Sequence, residues 1–378
     1  MHIHRSVYRE DHEQFRSTVR RFMERECAPH QEQWNQDGMV SREIWRKAGQ
    51  EGLLCVTLPT EYGGGGGDFG HSAIIGEEMA YAGVSLSFGL HSDIVAPYIA
   101  RLGTEEQKRK WLPGICAGEQ ILAVAITEPG GGSDVKAIRT TAQRDGDEYV
   151  INGSKTFISN GFLSDLVVVV CKTDPAAGAK GVSLLLVETN RAGFRRGRKL
   201  DKVGMHSQDT AELFFDDVRV PASNLLGEEN KGFVCLMQEL AQERLIIAVY
   251  SAAKLERLLE QTLEYVKERK AFGGTVWDFQ NTKFKLADIK AQAVATRTLV
   301  DYYIGEHMRR RISVQEAAIA KLFATETLWK CIDDMVQLHG GYGYMLEYPI
   351  ARAFTDYRIA RVFGGTNEVQ RDLIARKL

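Results

Sequence analysis

The sequence has no apolar run approaching the roughly 18 residues a membrane span requires. Its strongest run, DLVVVVC from Asp165 to Cys171, has the length of a strand. The N-terminal stretch MHIHRSVYREDHEQFRSTVRRFM lacks an apolar signal core and enters an amphipathic helical pattern almost at once. None of the six cysteines, at positions 27, 55, 116, 171, 235 and 331, has CxxC spacing. Zinc sites and a disulfide framework are therefore not expected, and free thiols in a reducing cytoplasm are. Charge of one sign is missing too: Lys+Arg 48 against Asp+Glu 50 leaves a net charge of -2, with no basic stripe. This argues against nucleic acid and anionic membrane as partners. His2 and His4 could chelate a metal weakly, but a solvated tail is the expected reading, and no metal site is expected. There is no internal repeat and no low-complexity segment apart from the glycine run in EYGGGGGDFG, Glu61 to Gly70. Such a run is either mobile or backbone packed tightly against something.

What is present changes character twice along the chain. Residues 1–118 read as a helical domain, carrying helix periodicity in FRSTVRRFM and YIARLGTEEQKRKWLPGI. Residues 119–222 read as short strands, ILAVAIT, EYVINGSKTFIS, DLVVVVCKT, GVSLLLVE and TAELFFDDVRV, separated by turn residues. No long helices intervene, so a compact antiparallel barrel or sandwich is expected rather than a parallel βαβ sheet. The linker PASNLLGEENKG, Pro221 to Gly232, leads into residues 223–378, whose long helical segments predict an antiparallel four-helix bundle. The fold class is thus mainly α with a β domain in the middle.

Several constellations could carry chemistry. TEPGGGSD, Thr127 to Asp134, follows the strand ILAVAI; its glycines permit close approach to a ligand, or simply a tight turn. It has neither GxGxxG nor GK[ST] spacing. In KTFISNG, Phe157 and Ser159 alternate on one strand face, which could stack on a flat heterocycle or face the core. Arg269 in ERKAFG suits an anionic ligand or the negative end of its own helix. QLHGGYGY, Gln337 to Tyr344, is a glycine break after a helix. Placed on a helix, Leu236, Leu240, Glu243, Ile247 and Tyr250 form one stripe, so Glu243 interrupts an apolar face with no Lys or Arg at i+4. Such a carboxyl should have a raised pKa, as a general base near neutral pH requires; a structural pair with a distant Arg is the alternative. VFGGTNEVQ, Val362 to Gln370, has two glycines where a helix break needs one at most.

Taken in order, TEPGGGSD, INGSKTFISNG, DTAELFFDDVRVP, ERKAFG, QLHGGYGY and GGTNEVQ resemble the acyl-CoA dehydrogenase family over nearly the whole chain. QERL combined with GGTNE is most similar to the long-chain branch. The resemblance implies an FAD enzyme that oxidises a fatty acyl-CoA to the trans-2-enoyl-CoA. A carboxylate would take the α-proton, the β-hydride would pass to flavin N5, and electrons would leave to an electron-transfer flavoprotein. It also implies a homotetramer, a dimer of dimers with FAD at a subunit interface. Val124, Ile126, Thr127, Gly132, Ser133, Phe157, Ile158 and Ser159 would line the flavin; Phe157 stands where many relatives have Trp. Arg269, Phe272, Gln280, Gln337, Gly340 and Gly341 would reach a neighbouring subunit's FAD, and Gly365, Thr366 and Glu368 the pyrophosphate and adenosine side. Many relatives carry the catalytic Glu at the position of Gly364; the long-chain and isovaleryl branches supply it from the first long C-terminal helix, here as Glu243. Substrate would be bounded by Ser85, Gly89, Ser133, Ala241, Arg244, Phe363 and Gly364. Small residues at Ser85 and Gly89 would favour a deep or wide pocket for a long or branched chain, or would relieve helix packing. A branched-chain dehydrogenase of isovaleryl or citronellyl type, or a flavin oxidase on the same fold, are the alternatives.

Overall fold

The amphipathic start of the chain forms helix α1, Glu10–Phe22, in a computed structural model that describes residues 5–378. His2 and His4 lie outside the described residues. Short helices α2, Gln31–Asp37, and α3, Arg42–Gln50, lead to the glycine run. That run is packed backbone. Gly66 N donates to Leu58 O at 2.9 Å and Gly67 N to Val56 O at 2.8 Å. A Cβ at Gly64 would collide with the Leu58 carbonyl. Asp68 then caps helix α4, Phe69–Ala82, by accepting from Gly70 N. A π-helical turn, Leu90–Val95, runs directly into α5, Ala96–Leu102, and α6, Glu105–Cys116, completes the first helical layer.

Helix α4 is buried almost all round, and it carries Glu77 into the interior. There Glu77 accepts from Arg5, Arg16 and Arg297, at 2.6 to 2.8 Å, and from Tyr8 Oη at 3.0 Å. Three guanidinium groups hold this carboxyl far below the usual carboxylate range, overcoming the burial that pushes it up. The cluster ties the N-terminal helices to the C-terminal bundle.

The middle of the chain is a curled seven-stranded sheet, ordered β1-β4-β2-β3-β7-β6, with β5 paired to β4. Its strands are β1, Leu122–Ala125; β2, Thr141–Asp145; β3, Glu148–Ser159; β4, Leu166–Lys172; β5, Val182–Glu188; β6, Phe194–Lys199; and β7, Thr210–Pro221. Most pairs are antiparallel, but β1 and β2 each pair with β4 in parallel. The expectation of a wholly antiparallel sheet is corrected on this point: the long TEPGGGSD loop between β1 and β2 returns the chain to the same direction. The apolar run Leu166–Cys171 is β4, the fully buried centre of the sheet.

Helices α7, Gly232–Glu268, α8, Gln280–Met308, and α9, Val314–His339, form the bundle, with α10, Pro349–Asp356, and α11, Asn367–Ala375, on α9. A two-residue-strand hairpin, β8, Lys270–Ala271, with β9, Gly274–Thr275, joins α7 to α8. Helix α4 packs against α7 and α8, so the N-terminal layer closes the bundle. No helix among the described residues is long and apolar enough to cross a membrane.

Candidate active site

Glu243 sits mid-way along α7, and its surroundings decide what it can do. One turn earlier, Glu239 is clamped by Arg101, both carboxylate oxygens at 2.9 Å from Nη1. Glu243 has no such partner among the described residues. Burial pushes its carboxyl up, opposed only by the charges of Arg244 and Lys321. Although protein encloses the carboxyl, the residue keeps some accessible surface.

The two glycines of VFGGTNEVQ face this carboxyl. Gly364 and Gly365 both have left-handed backbones, φ 64° and 82°, which disfavour any side chain. A Cβ at Gly364 would stand 2.5 Å from Ile247 Cδ1 and 3.5 Å from Glu243 Oε1. The absent side chain leaves its space to Ile247, with the Glu243 carboxylate in van der Waals range of the same point. The loop is fastened from behind: Lys321 Nζ donates to Gly365 O at 2.9 Å and to Asn367 Oδ1 at 2.8 Å. Gln370 Nε2 donates to the carbonyls of Gly364 and Gly365. Thr366 caps α11 through Val369 N, while Glu368 is exposed and Phe363 partly exposed beside it. Lys321 is fully buried, and burial lowers its pKa to about 8. Sequence reading did not single it out, because a lysine on an amphipathic helix carries no signal of its own.

Arg244 is buried beside Glu243, and its Nε and Nη1 have no hydrogen-bond partner. An unpaired buried guanidinium is costly, so these atoms suit an anionic or carbonyl-bearing ligand. Ala241, half-buried, lies on the preceding turn.

In the sheet, Val124 is half-buried at the end of β1, and Ile126 and Thr127 begin the loop. The Glu128 carboxylate, at the centre of TEPGGGSD, accepts from Arg139 N at 2.6 Å, Thr140 N at 2.9 Å and Lys155 Nζ at 2.8 Å. Lys155 also donates to Ile126 O at 3.0 Å, and Thr156 N to Thr127 O at 2.9 Å. The two motifs thus form one unit, leaving Gly132 and Ser133 exposed at its edge. The simple alternation expected for Phe157 and Ser159 is corrected by a bulge between Lys155 and Ile158, with Phe157 at φ 59°. The bulge turns the Phe157 ring outward, 67% exposed, while the Ile158 side chain enters the core. Ile158 can therefore face a ligand only through its backbone.

Arg269, Gln337, Gly340 and Gly341 are brought together in a cleft of about 500 Å³ at the end of the bundle, with Tyr342 under the Arg269 guanidinium. A Cβ at Gly340 or Gly341 would meet nothing. Phe272, 98% exposed, tips the adjoining hairpin, and Gln280 opens α8. The structure does not unite this cleft with Glu243: 26 residues of α7 separate Arg269 from Glu243, about 39 Å of helix. Ser85 and Gly89 were expected to leave a pocket open. At Gly89 the space is taken by the Tyr250 hydroxyl, which fits the alternative expectation of relieved helix packing. Ser85 is held by backbone contacts, its N donating to Gln31 Oε1 and its carbonyl accepting from Ser207.

Models of the N-terminal, middle and C-terminal domains of acyl-CoA dehydrogenases match residues 9–119, 123–218 and 230–378. The chain is 50% identical over 377 residues to the mitochondrial long-chain specific acyl-CoA dehydrogenase of Sus scrofa, covering 99% of this chain and 88% of the relative. The chain belongs to the acyl-CoA dehydrogenase family. A crystal structure of an acyl-CoA dehydrogenase from Geobacillus kaustophilus, 50% identical, superposes with a TM-score of 0.97 over 99% of both chains. A glutaryl-CoA dehydrogenase from Mycobacterium smegmatis in complex with FADH2, 27% identical, superposes at 0.92, covering 98% of this chain and 95% of that one. Acyl-CoA dehydrogenases are FAD flavoproteins, and the residues here fit that cofactor. The outward Phe157 ring offers a flat face, the Gly340–Gly341 break opens onto free space, and Arg269 supplies a cation for a pyrophosphate.

Proposed function

We propose that this acyl-CoA dehydrogenase oxidises a long-chain fatty acyl-CoA to the trans-2-enoyl-CoA, with Glu243 as the base that removes the α-proton. The observation that carries this reading is the contact at the GGTNE loop, where the side-chain-free Gly364 lies against Ile247 and the Glu243 carboxylate comes within 3.5 Å of the point a Cβ would take. An unpaired carboxyl with a raised pKa can hold a proton taken from a weakly acidic carbon. Charge developing on the thioester oxygen needs preorganised donors. The Gly364 N–H is suited to this: its carbonyl is engaged by Gln370, and the amide makes no backbone hydrogen bond among the described residues. FAD, when bound, supplies the hydride acceptor. Val124, Thr127, Ser133, Phe157 and Ser159 would hold its ring, and Gly365, Thr366 and Glu368 its phosphate side. Arg244 would bind the substrate.

The separation of the Arg269 cleft from Glu243 supports an assembly in which that cleft serves the cofactor of a second copy. A homotetramer, delivering electrons to an electron-transfer flavoprotein, is the form we infer. The preference for long chains follows the 50% identity to the long-chain relative. Anaerobic titration of the yellow protein with straight and branched acyl-CoAs of graded length tests the whole reading. Flavin bleaching is expected to be greatest with long straight chains. A strict preference for short branched thioesters would replace the substrate assignment, and rapid peroxide formation in air would replace the acceptor.

A further inference from the structure

Glu243 and Tyr250 share one stripe of α7, and each keeps some accessible surface although protein surrounds it. Tyr250 lies two turns further on, about 10 Å along the helix. Its ring is seated in a slot cut by two glycines: a Cβ at Gly76 would stand 2.7 Å from Tyr250 Cε1, and one at Gly89 would collide with Oη. The same point at Gly89 is 3.5 Å from Asp93 Oδ2. Asp93 lies in the π-helical turn Leu90–Val95, a local geometry that often marks functional sites. Its side chain is buried, 5% exposed, and forms no ion pair among the described residues. Ser72 Oγ faces it but is itself left without a hydrogen bond of good geometry. Burial pushes the Asp93 carboxyl up to about 7. The Tyr250 hydroxyl likewise has no hydrogen-bonding partner among the described residues. An alkyl tail gains nothing from either group, and each costs free energy while unpaired.

We propose that Tyr250 and Asp93 form a polar recognition point in the acyl pocket, and that the enzyme takes acyl chains bearing a hydroxyl group remote from the thioester. The chain hydroxyl accepts from Tyr250 O–H and donates to the Asp93 carboxyl. The slot formed by Gly76 and Gly89 fixes the phenol so that it reads one stretch of the chain. This inference rests on the reading of Glu243 as base, with the acyl chain running from it along α7.

The test uses the FAD-loaded enzyme and anaerobic flavin bleaching with lauroyl-CoA and its isomers hydroxylated at each of the last four carbons. At one or two hydroxyl positions, kcat/KM is expected to match or exceed that of lauroyl-CoA. The ratio of hydroxylated to plain substrate should then fall about tenfold in Tyr250→Phe and in Asp93→Leu, the loss that accompanies one buried hydrogen bond. A purely structural role would lower both substrates together and leave the ratio unchanged, which would overturn the proposal. So would a wild-type enzyme that rejects every hydroxylated isomer by tenfold or more. Failure of lauroyl-CoA itself to bleach the wild-type flavin would instead remove the reading on which the proposal depends.

Discussion

At the scale of single residues, two carboxylates one turn apart show how environment assigns roles. Burial pushes both carboxyls up, but Glu239 is hydrogen-bonded by Arg101 whereas Glu243 has no hydrogen-bonding partner among the described residues. Glu243→Gln should retain FAD and bind acyl-CoA, yet slow substrate bleaching of the flavin by about 10²- to 10⁴-fold, the usual cost of losing a general base. Stopped-flow absorbance measures this, and near-normal bleaching would remove Glu243 from the mechanism. The sign of its pH dependence follows from the direction of the shift. The base acts ionised, so kcat/KM should rise with pH, and its midpoint should lie above the ordinary carboxylate range because desolvation outweighs Arg244 and Lys321. A profile already flat at pH values typical of an exposed glutamate would contradict the burial argument. The closeness of the two positions can be tested in reverse. Gly364→Glu with Glu243→Gly should restore part of the turnover on straight chains, since the two sites approach within 3.5 Å. Recovery should be incomplete, because a side chain at φ 64° is strained and crowds Ile247.

At the scale of elements, stability concentrates where α1, α4 and α8 meet around Glu77. Glu77→Gln leaves three guanidinium groups without their shared counter-ion and should cost about 3–5 kcal/mol, seen as a lower midpoint in chemical denaturation. The folded-state pKa of Glu77 is depressed, so its stabilisation is fully present above the unfolded value, about 4.3. It is lost as pH falls below that value toward the folded pKa. The destabilisation caused by Glu77→Gln should therefore shrink as pH falls through that range; a destabilisation that stays constant with pH would deny the linkage. The order of helical, β and helical segments was legible because each repeats its own period over many residues, as in α7 and β4. The bulge at Phe157 was not, since a single extra residue leaves no periodic trace. Nor were the parallel pairings of β4, which depend on a long loop's return path. Glu243 stood out as a charge on an apolar stripe, whereas Asp93 and Lys321 did not: what makes them unusual is their burial by distant segments, which no local pattern encodes. The choice at Gly89 between an open pocket and packing relief was undecided for the same reason, its neighbour Tyr250 being far away in sequence.

At the scale of the whole molecule, the two groups of residues proposed to hold the cofactor lie too far apart in one chain to share a single FAD. Glu243 lies about 39 Å along α7 from the Arg269 cleft. Around that cleft, large apolar side chains face solvent: Phe272 at 98%, Tyr344 at 84% and Leu346 at 60% exposed. Such a patch beside a cation and two open glycines is expected to be covered by a second subunit that brings its own flavin. Phe272→Asp places a charge in that contact without touching Glu243 or the sheet motifs. Sedimentation velocity should then show species smaller than the tetramer. FAD should be lost more readily on dilution, since each cofactor would be held from one side only. A variant that remains tetrameric and keeps its flavin as firmly as wild type would mean that the hairpin tip lies outside the contact. The cleft would then need another ligand to explain its shape.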